Sequence, residues 1–146
     1  MSILVDTNIL LYAANPASPE HHAARTEVER LRRGTSSWFL TWGILYEFLR
    51  VATHAAVFER PLPVSSAALY VRRLVESPAV RVLQETDRHL SLLEKEMKET
   101  PGISGNDLHD VHIVVLMREH DLRTILTADR GFLRFKDIRV IDPVHA

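Results

Sequence analysis

Apolar residues in this chain follow two rhythms. Short unbroken runs of three or four suit strands buried on both faces, and longer stretches with apolar positions every three or four residues suit helices packed on one side. Ile3–Val5 opens the chain as a strand, Glu20–Arg33 reads as a helix with a charged outer face, and Ser37–Leu40 as a second strand. Thr41 is placed to cap a helix running to about His54. The turn Arg60-Pro61-Leu62-Pro63 precedes a helix that starts near Ser65 or Ser66 and ends before Pro78. Val80–Leu83 is a third short strand, and a polar amphipathic helix spans Asp87 to about Glu99. The loop Thr100-Pro101-Gly102-Ile103-Ser104-Gly105 leads into a helix over Asp107–His120, and strands Thr124–Thr127 and Arg139–Ile141 complete the chain.

Strands alternating with helices predict an α/β fold whose parallel sheet is covered on both faces. No repeat, low-complexity tract or shift in composition divides residues 1–146, so one domain is expected. A hydrophobic share of 46% with 25% charged residues is that of an ordinary globular protein. Cysteine is absent, which removes disulfides, thiolate metal sites and cysteine nucleophiles from consideration. The start lacks a basic secretory leader, and the longest apolar run, Ile9 to Ala14, falls far short of the ~20 residues of a membrane span. A soluble, cytoplasmic protein is therefore expected. The net charge of −1 argues against wholesale coating of nucleic acid and leaves room for a local phosphate site.

The chemistry lies in where four acids fall. Asp6 follows Ile3-Leu4-Val5 directly, so a carboxylate stands where a buried strand emerges, and open parallel sheets bind ligands beyond the carboxyl ends of their strands. Asp129 repeats the arrangement after Thr124-Ile125-Leu126-Thr127. Glu47 interrupts Trp42–Ala52, a helical stretch apolar on nearly every side, where a carboxylate needs a partner. Asp110 sits in the first turn of the helix after Gly105. Each acid also has a structural explanation. Glu47 can pair with Arg50 at i+3 or reach the surface; Asp110 can be the third residue after a cap at Asp107; Asp6 can cap a following helix; Asp129 can support a turn at Arg130-Gly131. Taken together, they form one cluster more readily than four separate features. Such a cluster repels itself and raises its own pKa values until a cation neutralises it, and hard oxygen ligands without cysteine favour Mg²⁺ or Mn²⁺.

These residues carry a resemblance. Val5-Asp6-Thr7-Asn8-Ile9-Leu10, Leu45-Tyr46-Glu47-Phe48-Leu49-Arg50, Asn106-Asp107-Leu108-His109-Asp110-Val111-His112-Ile113 and Leu126-Thr127-Ala128-Asp129-Arg130-Gly131-Phe132, in that order and spacing, resemble the PIN-domain ribonucleases. The likeness is closer still to the VapC toxins of type II toxin–antitoxin modules. It implies a three-layer α/β/α domain with a central, mostly parallel sheet of four or five strands. It also implies a metal-dependent ribonuclease that leaves 5′-phosphate and 3′-hydroxyl ends. Asp6, Glu47, Asp110 and Asp129 become the metal-holding and catalytic acids, Asp6 and Asp110 foremost. Asn8 and Thr127 become polar supports, and Asp107 a lesser support beside the preferred Asp110. Arg130, with Arg134 and Lys136, lies near the expected mouth, where it can hold substrate phosphates or simply face solvent. A small antitoxin aiming a basic side chain at the acids is the implied protein partner, and a homodimer through apolar helix surface around Leu69-Tyr70 or Val51 the implied assembly. Many relatives carry a further acid where this chain has Gly131, which leaves one metal or two open.

Competing readings are weaker. A catalytically inactive PIN-like domain that binds RNA or protein would be expected to have lost one of the acids. The pair His109-Asp110 suggests an HD-type metal phosphohydrolase, but that class is helical and wants further spaced histidines. His109 and His112 at i and i+3 can bind zinc, though structural histidines are commoner. Trp38 and Trp42 flank Phe39 and are expected in the core rather than stacked on bases.

Overall fold

A computed structural model describes residues 2–145. The strands are β1 (Ile3–Val5), β2 (Trp38–Thr41), β3 (Val80–Leu83), β4 (Thr124–Leu126) and β5 (Arg139–Ile141). They form a single sheet in the order β3-β2-β1-β4-β5, and every neighbouring pair is parallel. The helices are α1 (Thr7–Ala14), α2 (His21–Arg33), α3 (Trp42–Ala52), α4 (Val64–Val75), α5 (His89–Glu99) and α6 (Asp107–Glu119), with a 3₁₀ turn over Arg130–Arg134. This is the α/β/α architecture expected from the alternating pattern.

β1 lies at the centre, and all three of its residues are buried, which explains its unbroken apolar run. The chain leaves β1 toward β2 on one side and later returns to β4 on the other. That reversal of strand order opens a crevice beyond the carboxyl ends of β1 and β4. Register fixes its walls: Val5 lies opposite Leu126, so the residues that follow each strand, Asp6 and Thr127, emerge side by side. Leu4, Leu40, Ile125, Phe48, Ile113 and Leu116, all at most 1% exposed, belong to the core that holds this edge rigid.

Two elements follow from caps and not from periodicity. α1 is the helix that Asp6 can cap, and Ile9 to Ala14 is apolar throughout and too short to show a 3.6-residue period. The 3₁₀ turn over Arg130–Arg134 contains the turn that Asp129 can support: Asp129 caps it and accepts from the Gly131 amide at 2.8 Å. Thr41 caps α3 as expected, accepting from the Ile44 amide at 3.0 Å. α3 itself is less buried than its sequence suggests. Trp38 is fully enclosed, but Trp42 is 45% exposed and packs on exposed Tyr46, so the core expectation fails for Trp42. Among the described residues no helix is long and apolar enough to cross a membrane.

Candidate active site

Asp6 ends β1 and caps α1. One carboxylate oxygen, Oδ1, accepts from the Thr7 amide at 2.7 Å; the other, Oδ2, accepts from the Thr127 hydroxyl at 2.7 Å and from Asn8 Nδ2 at 3.3 Å. The cap role and the cluster role thus fall on the same side chain. Thr127 is completely buried and links the two strand ends, although it lies 121 residues from Asp6. Its oxygen accepts from Asn8 Nδ2 at 3.1 Å and from the Asp129 amide at 3.0 Å, so both lone pairs are engaged and its proton is committed to Asp6. Asn8 Oδ1 accepts from the Ala128 amide at 3.1 Å, closing the network. Asn8 and Thr127 thus both donate to one oxygen of Asp6 and hold the main chain at Ala128 and Asp129.

The electrostatics identify the members of the cluster. Burial raises the Asp6 carboxyl, bonds from Thr127 and Thr7 pull it back, and the charge of Asp129 pushes it up again, leaving it above the ordinary range. Asp110, in the first turn of α6, is raised to about 6 by burial and then by the charges of Asp129 and Asp6, against the opposing pull of Arg134. Asp6, Asp110 and Asp129 therefore act on one another across the crevice. Their oxygens do not all close to within 4.8 Å among the described residues. A Mg²⁺-type ion does not require all of them to converge, since it keeps several waters and takes only one or two carboxylates directly. The donor set, all oxygen and mutually repelling, fits such an ion chemically.

Glu47 stands differently. Its carboxylate pairs with Arg50 at 2.5 Å, the alternative that the i+3 spacing offers, and this bond holds its pKa below the usual range. Its tie to the cluster is His109, which when protonated favours the ionised forms of both Glu47 and Asp6. Asp107 is not the cap of α6 that the alternative account of Asp110 requires. It is the first helical residue, follows Asn106, and its carboxylate accepts from the Ser104 amide at 3.1 Å. Arg134 reaches back from the 3₁₀ turn to Asp107 at 3.1 Å and to Asp110 at 3.3 Å, while lying 5.1 Å from the Phe135 ring centre. Of the three basic residues expected near the mouth, Arg134 is thus engaged with the acids themselves, whereas Lys136 lies away from them, beside Glu96 and Arg118 at the far end of α6. Arg130 is exposed, at the opening of the turn that Asp129 caps.

Gly131 has a local reason. A Cβ there would lie 2.9 Å from Asp129 Oδ1, the same oxygen that receives the Gly131 amide. Any side chain at this position makes that oxygen shift, and the bare backbone at 131 admits the Asp129 carboxylate in its present orientation.

A pH dependence follows from Asp110. Its folded pKa lies above the ordinary carboxyl value of 3.8, so the folded state holds this proton more tightly than the unfolded chain. The ionised form weakens the ion-free fold near neutral pH, and stability returns as pH falls through about 6. In chelator, Asp110→Asn is expected to melt higher than the parent near pH 7, with the gap shrinking toward about pH 5. A gap independent of pH, measured by thermal denaturation, would contradict the assigned repulsion.

Residues 3–138 match the PIN domain family. Ribonuclease VapC48 of Mycobacterium tuberculosis is 34% identical over 143 residues, covering 98% of this chain and 98% of the relative. Ribonuclease VapC33 of the same organism is 33% identical, covering 98% and 99%. Among solved structures, VapBC2 from Rickettsia felis bound to a promoter DNA fragment superposes with a TM-score of 0.70 at 14% identity, over 97% of this chain and 98% of that one. M. tuberculosis VapC20, a sarcin-ricin loop cleaving toxin, gives 0.65 at 16% identity, over 94% and 98%. The structural matches establish the fold, and full-length identity above 30% establishes the lineage: the chain belongs to the PIN-domain family, among its VapC ribonucleases.

Proposed function

We propose that this protein hydrolyses RNA phosphodiester bonds at the crevice beyond β1 and β4, as the toxin of a VapBC-type pair. The observation that carries the proposal is the convergence of Asp6, Asp110 and Asp129 from distant segments: the charge of Asp129 raises Asp6, the charges of Asp129 and Asp6 raise Asp110, and among the described residues Asp110 is the one of the three paired with a guanidinium. Asp6 and Asp110 would hold Mg²⁺ or Mn²⁺, with Asp129 and Glu47 completing the shell or ordering water. When bound, such an ion supplies Lewis acidity at the phosphate and a more acidic attacking water. The chain's own work is positional. Thr7, Asn8 and Thr127 fix both oxygens of Asp6, and the Gly131 amide fixes one oxygen of Asp129. No side chain need form a covalent intermediate, and the expected products carry 5′-phosphate and 3′-hydroxyl ends.

The expected protein partner is a small antitoxin presenting a basic side chain to the acids, the place that Arg134 partly fills within the chain itself. A homodimer through helix surface near Leu69 or Val51 is consistent with exposed Leu69, whereas Tyr70 is stacked on Phe48 at 4.9 Å and contributes less free surface. Retention of all four acids speaks for catalysis over an inactive binding domain. RNA cleavage should disappear in EDTA and return on adding excess Mg²⁺ or Mn²⁺, with RNA ends mapped before and after. Cleavage undiminished by the chelator would defeat the metal-dependent reading.

A further inference from the structure

The histidine pairing weighed from sequence joined His112 to His109, its neighbour on α6. The structure gives His112 other company. One ring nitrogen of His89, one of His112 and a carboxylate oxygen of Glu85 all lie within 4.8 Å of one another. The three come from different places: Glu85 from the segment after β3, His89 from the start of α5, and His112 from the second turn of α6. None belongs to the acidic quartet.

We propose that Glu85, His89 and His112 bind a late first-row divalent cation, Zn²⁺ foremost, separate from the ion expected at the aspartates. The donor types set the selectivity, since two imidazoles with one carboxylate suit Zn²⁺ and its neighbours, whereas Mg²⁺ prefers oxygen alone. Glu85 Oε1 already lies 2.8 Å from His112 Nε2, and the rings of His89 and His112 meet edge to face at 5.7 Å. Half-exposed side chains can close around an ion without moving the backbone, leaving the remaining positions to water.

A second observation supports the site. Glu119, whose side chain is wholly buried, accepts from His89 Nδ1 at 2.7 Å and from both the amide and the hydroxyl of Thr86, at 2.8 and 2.7 Å. Burial pushes this carboxyl up, but the bonds from His89 and Thr86 outweigh it and keep it ionised. An ionised acceptor at Nδ1 fixes the proton there and leaves Nε2 with its lone pair, the arrangement in which a carboxylate orients a metal-binding histidine. Glu119 is thus a positioning residue. Glu119 and His112 lie seven apart on α6 and share the face toward α5, so an ion here would pin the helix that carries Asp110.

The test uses tag-free full-length protein, with Zn²⁺ titrated against a chromophoric chelator and Co²⁺ absorption reporting the ligand field. One equivalent should bind to the parent and equally to the Asp6→Asn/Asp110→Asn double variant. His89→Gln, His112→Gln and the exposed Glu85→Gln should each weaken binding at least tenfold, and Glu119→Gln by about tenfold to a hundredfold. Circular dichroism would confirm that each variant is folded, and Glu85→Gln, which alters a surface side chain, keeps the test decisive if a histidine variant is not. Absence of Zn²⁺ binding, binding unchanged in His89→Gln or Glu85→Gln, or binding lost only with the aspartates would overturn the proposal. Because the readout is Zn²⁺ occupancy rather than RNA cleavage, its failure leaves the ribonuclease reading untouched, and the reverse holds as well.

Discussion

Asp6→Asn is expected to lower RNA cleavage by on the order of a thousandfold or more while the protein stays folded, a loss of roughly 4 kcal/mol in transition-state stabilisation. The substitution keeps size and one acceptor, and removes the charge that would hold the cation. It also sets up a local conflict. Thr127 Oγ1 already accepts from Asn8 and from the Asp129 amide, so an amide NH₂ at position 6 finds no free lone pair there. Turning that amide over sets its NH₂ against the Thr7 amide instead. Against this cost stands relief of a buried carboxylate that its surroundings push toward protonation. The two effects oppose, and the melting temperature should move little. Asp107→Asn should reduce cleavage far less, because Asp107 serves the Ser104 amide and Arg134 at the edge. Full ribonuclease activity in folded Asp6→Asn protein would remove the basis of the proposed function.

Thr127→Val should damage stability and activity together. Valine matches threonine in shape, so packing survives, but the buried hydroxyl serves three partners at once. Its loss leaves Asn8 Nδ2 short of one acceptor, the Asp129 amide without its acceptor and Asp6 Oδ2 without its shortest donor. A destabilisation of about 2 to 3 kcal/mol is expected, the usual cost of unsatisfied buried polar groups. The bond from Thr127 is also the largest influence holding the Asp6 carboxyl down, so that carboxyl should rise further and bind cations less readily. Cleavage should fall about tenfold to a hundredfold, as for groups that orient metal ligands. Thr127→Ser, which restores the hydroxyl, should recover most of both losses. Equal damage from valine and serine, by denaturant unfolding and by RNA cleavage, would trace the effect to packing alone.

Much of this was legible in the chain. The two apolar runs followed by aspartate placed Asp6 and Asp129 at strand ends, and the register of β1 against β4 brings those ends together. The helices with a clear period, α2, α4 and α5, stand where the pattern put them within a few residues. What stayed hidden depends on side chains meeting across the fold. Nothing in the sequence shows that Arg134 reaches Asp107 and Asp110, or that His112 turns toward Glu85 and His89. Glu47 marks the limit of a spacing rule: the same i+3 interval served either as a structural pair or as a coincidence beside a metal ligand, and the pair with Arg50 is the one formed. Gly131 looked like a missing ligand, and close approach to Asp129 accounts for it locally.

The central position of β1 has a consequence for how the molecule comes into being. β1 is made first, yet its neighbour β4 and the hydroxyl that anchors Asp6 lie near the far end of the polypeptide. Until translation has passed Asp129 and that stretch has cleared the ribosome, the inner strand keeps one bare edge and the Asp6 carboxylate lacks its Thr127 donor. A nascent chain that has not yet reached β4 therefore lacks the paired strand ends that set Asp6 and Thr127 side by side.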